Sequence, residues 1–307
     1  VSTAVYTETS PVLDVCASRA SFAGTVRGEF FKVSRQLSTW IMGFLLMGVI
    51  VFPYLVTFAA PTFKTRMMQQ PLAMMYFEMG SNLFVLRVFS GFFLIVLTAR
   101  LIGMEYSAGT IRIVLARGVG RVQLHAAKLL TVMVIAAVIL VVGVLLDALL
   151  TVLVVGILTG NLDALKSLNA TFWSDTRLYI ATVAISMLAT ILMSAAVTVV
   201  GRSLAIGLSV ALSWFPADNI GTIFFILGYK LTGSNFWTLV TGEFLGPNLN
   251  AMQSTMLSPA AARADVITTF VPLVPVTSSH TLIVTAVYCV IFLAVAVALT
   301  ATRDVKE

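Results

Sequence analysis

Two aspartates set inside apolar runs, and one basic island between two such runs, hold most of the chemistry this sequence offers. The island reads Gly103-Met-Glu105-Tyr-Ser107-Ala-Gly109-Thr110-Ile111-Arg112-Ile-Val114-Leu115-Ala-Arg117-Gly118-Val-Gly120-Arg121 and closes on His125 and Lys128. Ser107 or Thr110 is placed to cap a short helix, and Ile111, Val114 and Leu115 would give that helix an apolar face suited to a groove. Arg112, Arg117 and Arg121 would then meet acidic or polar rims, while Gly118 and Gly120 let the chain turn back. By charge alone the same residues are an ordinary basic loop that only fixes membrane topology. Asp147 and Asp218 pose a different question, because a carboxylate in hydrocarbon is costly and generally faces a bundle interior or a cavity. With Trp214 beside Asp218, they are candidates for a translocation path, an outer gate or a proton-carrying site. The alternative is a carboxylate at a helix end or one hydrogen-bonded within the bundle.

The elements that must position these residues are membrane helices. Hydrophobic residues make up 59% of the chain and charged residues 10%, and the mean hydropathy is +1.01, far from a soluble domain in which charged residues approach a quarter. Uncharged runs reach the roughly 20 residues that cross a hydrocarbon core. Six spans are expected, at about 40–60, 81–104, 129–158, 178–200, 203–229 and 281–302. In the second, only Val88 to Ala99 is free of charge, and Arg87 and Arg100 are expected to snorkel to opposite interfaces. The third is overlong for a core of about 30 Å and should tilt or project. Gly201-Arg202-Ser203 forces a tight hairpin between the fourth and fifth. Residues 1–38 are read as a cytoplasmic tail plus amphipathic helix, 39–302 as the membrane domain, and 303–307 as a cytoplasmic tail.

With six spans both termini share a side, and that side holds twelve of the nineteen basic residues. Lys and Arg favour the cytoplasmic side, so both termini and the island are placed in the cytoplasm. The isoelectric point near 9.5 then follows from topology, and no basic patch interleaved with aromatics points to nucleic acid. Ahead of the first span, Phe22, Val26, Phe30, Val33 and Leu37 line one helical face and Arg27, Glu29, Lys32, Arg35 and Gln36 the other, the pattern of an interfacial helix. The long connection from Lys230 to His280 contains an apolar stretch, 266–276, that is broken by Pro272 and Pro275 and too short to cross; a re-entrant or interfacial segment is expected there. Cys16 and Cys289 suggest no disulfide or metal framework, and the first twenty residues, with Glu8 and Asp14, do not read as a cleavable signal. The two histidines, His125 and His280, lie outside the spans, which argues against a haem-bearing subunit.

Glu105, Gly109-Thr110, Arg112, Leu115, Arg121 and Lys128 together resemble the cytosolic loop of the ABC-2 family of transporter permeases, the membrane subunits of many ABC exporters. The layout is similar too: an amphipathic helix before the first span, a cytosolic loop after the second, and a long external segment before the last. Family members often carry a proline before the loop arginine, where this chain has Gly118-Val119-Gly120-Arg121. The resemblance implies an all-α membrane fold of six spans, with Glu105, Gly109, Thr110, Arg112, Leu115, Arg117 and Arg121 as the element that couples to an ATPase. It implies a separate nucleotide-binding subunit carrying ATP and Mg, since this chain has no G-x-x-x-x-G-K-[ST] phosphate loop. It also implies a second permease, identical or not, in a multi-pass protein of a prokaryotic cytoplasmic membrane. A hydrophobic or amphipathic cargo such as a lipid, drug or peptide is expected. The competing readings are a stand-alone secondary transporter using Asp147 or Asp218, and a non-catalytic membrane anchor or assembly subunit.

Overall fold

The computed structural model describes residues 21–116, 118–263 and 270–302. Both tails beyond these limits, Arg117, and positions 264–269, which include the first four residues of the expected stretch 266–276, therefore lie outside the described residues. Among the described residues every regular element is helical. The chain opens with α1 (Phe22–Ser34), whose N-cap Ser21 accepts a hydrogen bond from the Gly24 amide at 3.0 Å. Then come α2 (Leu37–Ala59), the short α3 (Phe63–Gln69) and α4 (Pro71–Ser107), which starts on a proline whose missing N–H costs nothing in a first turn. A six-residue α5 (Ile111–Ala116) precedes α6 (Arg121–Thr159). After a 3-10 turn, α7 (Ala170–Gly201) is capped by Asn169, which accepts from the Phe172 amide at 2.8 Å. The tight turn after α7 puts Arg202 at φ 47°, a left-handed conformation, and leads into α8 (Leu204–Ile220) and α9 (Thr222–Thr232). The chain ends with α10 (Phe236–Thr241), α11 (Leu245–Met256), α12 (Pro259–Arg263) and α13 (Ser278–Thr302).

Five of these helices are long and apolar enough to cross a membrane, and the pair α8 and α9, bent by 55°, passes the same test when taken together as one broken span. The helices α4 and α7 lie together at the centre; α8 and α13 pack on α7, and α2 and α6 on α4. Leu94, Ile95, Val183 and Ile191 fill this seam. At one end α4 comes so close to α8 that a Cβ on Gly103 would stand 2.7 Å from the Leu204 Cα, so glycine is required there. The rim helices α2 and α13 instead expose Phe44, Leu45, Phe52, Ile283 and Val290, the apolar exterior of a bundle that hydrocarbon solvates.

Two expectations change. The helix that carries the second span is longer than 81–104: α4 starts at Pro71 and brings Glu78 into the bundle. Arg87 does not snorkel; it is 3% exposed and donates to the Leu249 carbonyl at 2.9 Å and to the Asn250 side chain. A guanidinium that finds carbonyl acceptors inside the bundle avoids the cost of burial without reaching an interface. Within the long connection, α11 is deeply inserted, which the sequence reading does not anticipate; the start of the expected stretch 266–276 lies outside the described residues. Residues Leu245 to Gln253 of α11 are all buried against α7, α8 and α13, whereas the described Phe270 to Val276 run as bends. The bend between α8 and α9 falls at Gly221, beyond Pro216, which lies inside α8.

Arg87 thus fastens the inserted helix to the central one. Arg87→Leu is expected to destabilise the fold by about 3 kcal/mol, since hydrogen bonds to charged groups contribute roughly 1.5–3 kcal/mol each. Thermal melting in detergent should show the loss, and limited proteolysis should cut the segment after α9 faster than in the parent protein.

Candidate functional site

The island folds as an exposed outrigger. Gly109 at φ 66° and Gly118 at φ 83° bracket α5, each in the left-handed region that a side chain would strain, so the chain leaves α4 and enters α6 through two sharp turns. No residue of α5 is buried, and the helix makes no substantial packing against any other. Thr110, Arg112 and Ile113 are exposed, Ile113 by 56% and flanked by exposed Met104 and Val122. Ile111, Val114 and Leu115, expected as the docking face, are half-buried, so the apolar residue turned outward is Ile113. Arg121 is half-buried at the start of α6, and Arg117 lies outside the described residues. Ser107 does not cap α5: its Oγ accepts from the Leu204 amide at 3.1 Å and so caps α8, tying the root of the loop to the fifth crossing.

Beneath this outrigger lies a cluster of four charges, three of them buried and Lys32 partly exposed. Glu105 is 7% exposed and does not face outward with the rest of the loop. Its Oε1 accepts from Lys32 Nζ of α1 at 2.6 Å and from Lys128 Nζ of α6 at 2.9 Å. Glu29 of α1 closes the ring, with Oε1 2.8 Å from Lys32 and Oε2 3.2 Å from Lys128. Lys128 also donates to the Leu101 carbonyl at 2.7 Å. Two carboxylates and two ammonium groups cancel in charge, and each head meets an opposite one, the condition under which buried ions are tolerated. The cluster joins the interfacial helix, the end of α4 and the start of α6. Lys32, outside the spans, sits above its ordinary pKa: burial pulls it down, but hydrogen bonds and charges from Glu105 and Glu29 outweigh that. Its contribution therefore holds through neutral pH and is lost only as pH rises through that raised value. The helical spacing of α1 had assigned Glu29 and Lys32 to the solvent face; the signal that could have placed them was the pair of opposite charges, Glu105 and Lys128, across the loop.

The aspartates do not form one site. Asp147 of α6 accepts from Tyr54 of α2, whose Oη is 2.5 Å from its Oδ1 and 3.0 Å from Thr151 Oγ1, so it is hydrogen-bonded within the bundle. Asp218 lines a cavity of about 150 Å³ with Trp214, Phe225 and Phe244, and its Oδ1 is buried without a hydrogen-bond partner among the described residues. Two further buried carboxylates were missed because the expected spans began too late. Glu78 accepts from Thr57 at 3.1 Å and Asn82 at 3.3 Å. Asp175 accepts from Tyr76 at 2.8 Å and from the Ser258 hydroxyl at 2.6 Å, which fixes the start of α12. Pro71 and Asn169, both helix-start signals, would have extended the spans to include them.

Removing one member of the cluster leaves an uncompensated buried charge. Lys128→Met is expected to cost about 3–5 kcal/mol, and Glu105→Gln combined with Lys128→Met less than the two separate losses together. Melting temperatures of the two single variants and the double variant give that comparison.

A family model described as "ABC-2 family transporter protein" matches residues 25–218, from α1 through the island to Asp218. No curated protein matches the chain. The matched stretch spans the interfacial helix, the four-charge cluster, the outrigger and the first four crossings with α8, which is most of what the geometry singles out. The chain belongs to the ABC-2 transporter family.

Proposed function

We propose that this ABC-2 permease is an exporter driven by a separate cassette ATPase that grips α5. The observation that carries the reading is a mechanical one: α5 stands exposed and off the bundle, yet both its roots are locked by Glu105 and Lys128 into a buried ring with α1. A helix free at its tip and rigid at its base transmits a push; one free at both would absorb it. Ile113 would be the apolar anchor in a groove of the ATPase, with Arg112 at its rim. In this reading the loop end faces the cytosol, and two permeases, identical or related, pair with two ATPases. Closure of the ATPases on ATP would drive the outrigger, and α1, α4 and α6 would rock as a unit to alternate access across the bundle. Asp218 and Trp214, at the far part of the fifth crossing beside the Gly221 bend, are the candidates for the outer path. Asp147, already bonded to Tyr54, is a weaker candidate for contact with cargo. A hydrophobic or amphipathic cargo suits the apolar walls of that cavity.

A proton-coupled secondary transporter is the second reading, favoured by the unpartnered Oδ1 of Asp218. Under it, transport in vesicles would follow an imposed proton gradient without ATP, and Asp218→Asn would abolish it.

Co-expression with the cassette ATPase tests the first reading. Ile113→Asp is expected to weaken the complex by about 2 kcal/mol, roughly thirtyfold in affinity, the loss of a central anchor. Arg112→Glu should uncouple ATP hydrolysis from transport. Unchanged co-purification with Ile113→Asp, or unchanged transport with Arg112→Glu, would contradict the assignment.

A further inference from the structure

We infer that the groove between α2 and α4 binds an anionic phospholipid, with its headgroup on Arg100. The two helices run antiparallel, and at the loop end Arg100 of α4 donates to Ser38 Oγ of α2. One turn deeper on each helix, Met42 and Val96 begin an apolar groove of about 180 Å³ that continues along Leu45, Val49, Phe89 and Phe92. Leu46 and Phe93 close its floor, while Leu45 and Phe89 are exposed at its lips. The groove is therefore apolar along its length, open to the side, and headed by a guanidinium.

The charge at its mouth selects the occupant. Arg100 is half-buried, its hydrogen bond goes to a neutral hydroxyl, and no described carboxylate lies within ion-pair distance. The neighbouring cluster gives it nothing, because Glu29 and Glu105 are both taken up by Lys32 and Lys128. Arg35, at the turn between α1 and α2, adds a second exposed guanidinium at this end, stacked on Phe31. A zwitterionic lipid would fill the groove but bring no net charge to the mouth; a lipid with a phosphodiester and no cationic headgroup supplies both parts.

The full chain, purified in detergent and placed in nanodiscs of phosphatidylcholine with or without phosphatidylglycerol, provides the test, with retained lipid counted by native mass spectrometry. Phosphatidylglycerol should be retained about fivefold over phosphatidylcholine, the ratio that one basic residue at a membrane surface gives. Arg100→Gln should abolish that preference and Arg100→Lys, which keeps the charge, should preserve it. Val49→Trp, which fills the groove and leaves Arg100 in place, should lose the retained lipid. Equal retention of both lipids by the parent protein, an undiminished preference in Arg100→Gln, or full occupancy in Val49→Trp would overturn the site. So would displacement of the lipid by glycerol phosphate alone, which would mark a site for a free anion.

Discussion

The structure depends on one arrangement of opposite charges inside an apolar bundle. Glu29, Lys32, Glu105 and Lys128 come from three helices, and three of their four ion pairs tie one of those helices to another. Apolar packing alone is a poor guide to register here, because Leu, Val and Phe cover every face of the spans and lipid solvates them as well as a neighbouring helix does. A buried ion, by contrast, tolerates few positions. The ring fixes where α1 lies against α6 and how the end of α4 meets the start of α6, and thereby sets the base of α5.

The same logic recurs at the other end of the bundle. Arg87 holds α11 by its carbonyl and by Asn250, and Asp175 holds the start of α12 through Ser258. Between these polar ends, α4 and α7 meet in a seam of apolar side chains and buried hydroxyls, where Ser194 donates to the Ile95 carbonyl at 3.1 Å, with close glycine contacts where α4 meets α8. The molecule is thus pinned at both ends and greasy in between. Its long connection is folded back into the bundle as α11, so α11 and α13, which lie beyond the family match, pack against helices of the matched part.

The helical class, five to six crossings and a helix ahead of the first were legible, because long uncharged runs and a 3.6-residue repeat have few other interpretations. The positions of the buried charges were not. Hydropathy windows begin a span where charge ends, so Glu78, Arg87 and Asp175 were read as boundary or loop residues, although the helices that carry them start earlier, at Pro71 and Ala170. Likewise the amphipathic pattern of α1 sent Glu29 and Lys32 to water, because one helix read alone cannot reveal a charged partner on another. Glu105 was legible as part of the island but not in its role, since spacing along the loop says nothing of which side faces inward. The outward position of Ile113 could not be read either, because six residues are too few for a reliable apolar face.

If the charged ring makes α1, the end of α4 and the outrigger one rigid body, spin labels can report it directly. Labels at Gly28 on α1 and Ala116 on α5 are both exposed, and one at Ala301 on α13 provides the outside reference. In a background lacking Cys16 and Cys289, pulsed electron spin resonance with the ATPase complex should show a narrow Gly28–Ala116 distance that nucleotide does not alter. The distance from Ala116 to Ala301 should shift, and Lys128→Met should broaden the first distribution. A Gly28–Ala116 distance that changes by several Å (about one helical turn, 5.4 Å, would be decisive) when nucleotide binds to the unaltered ring would contradict the account.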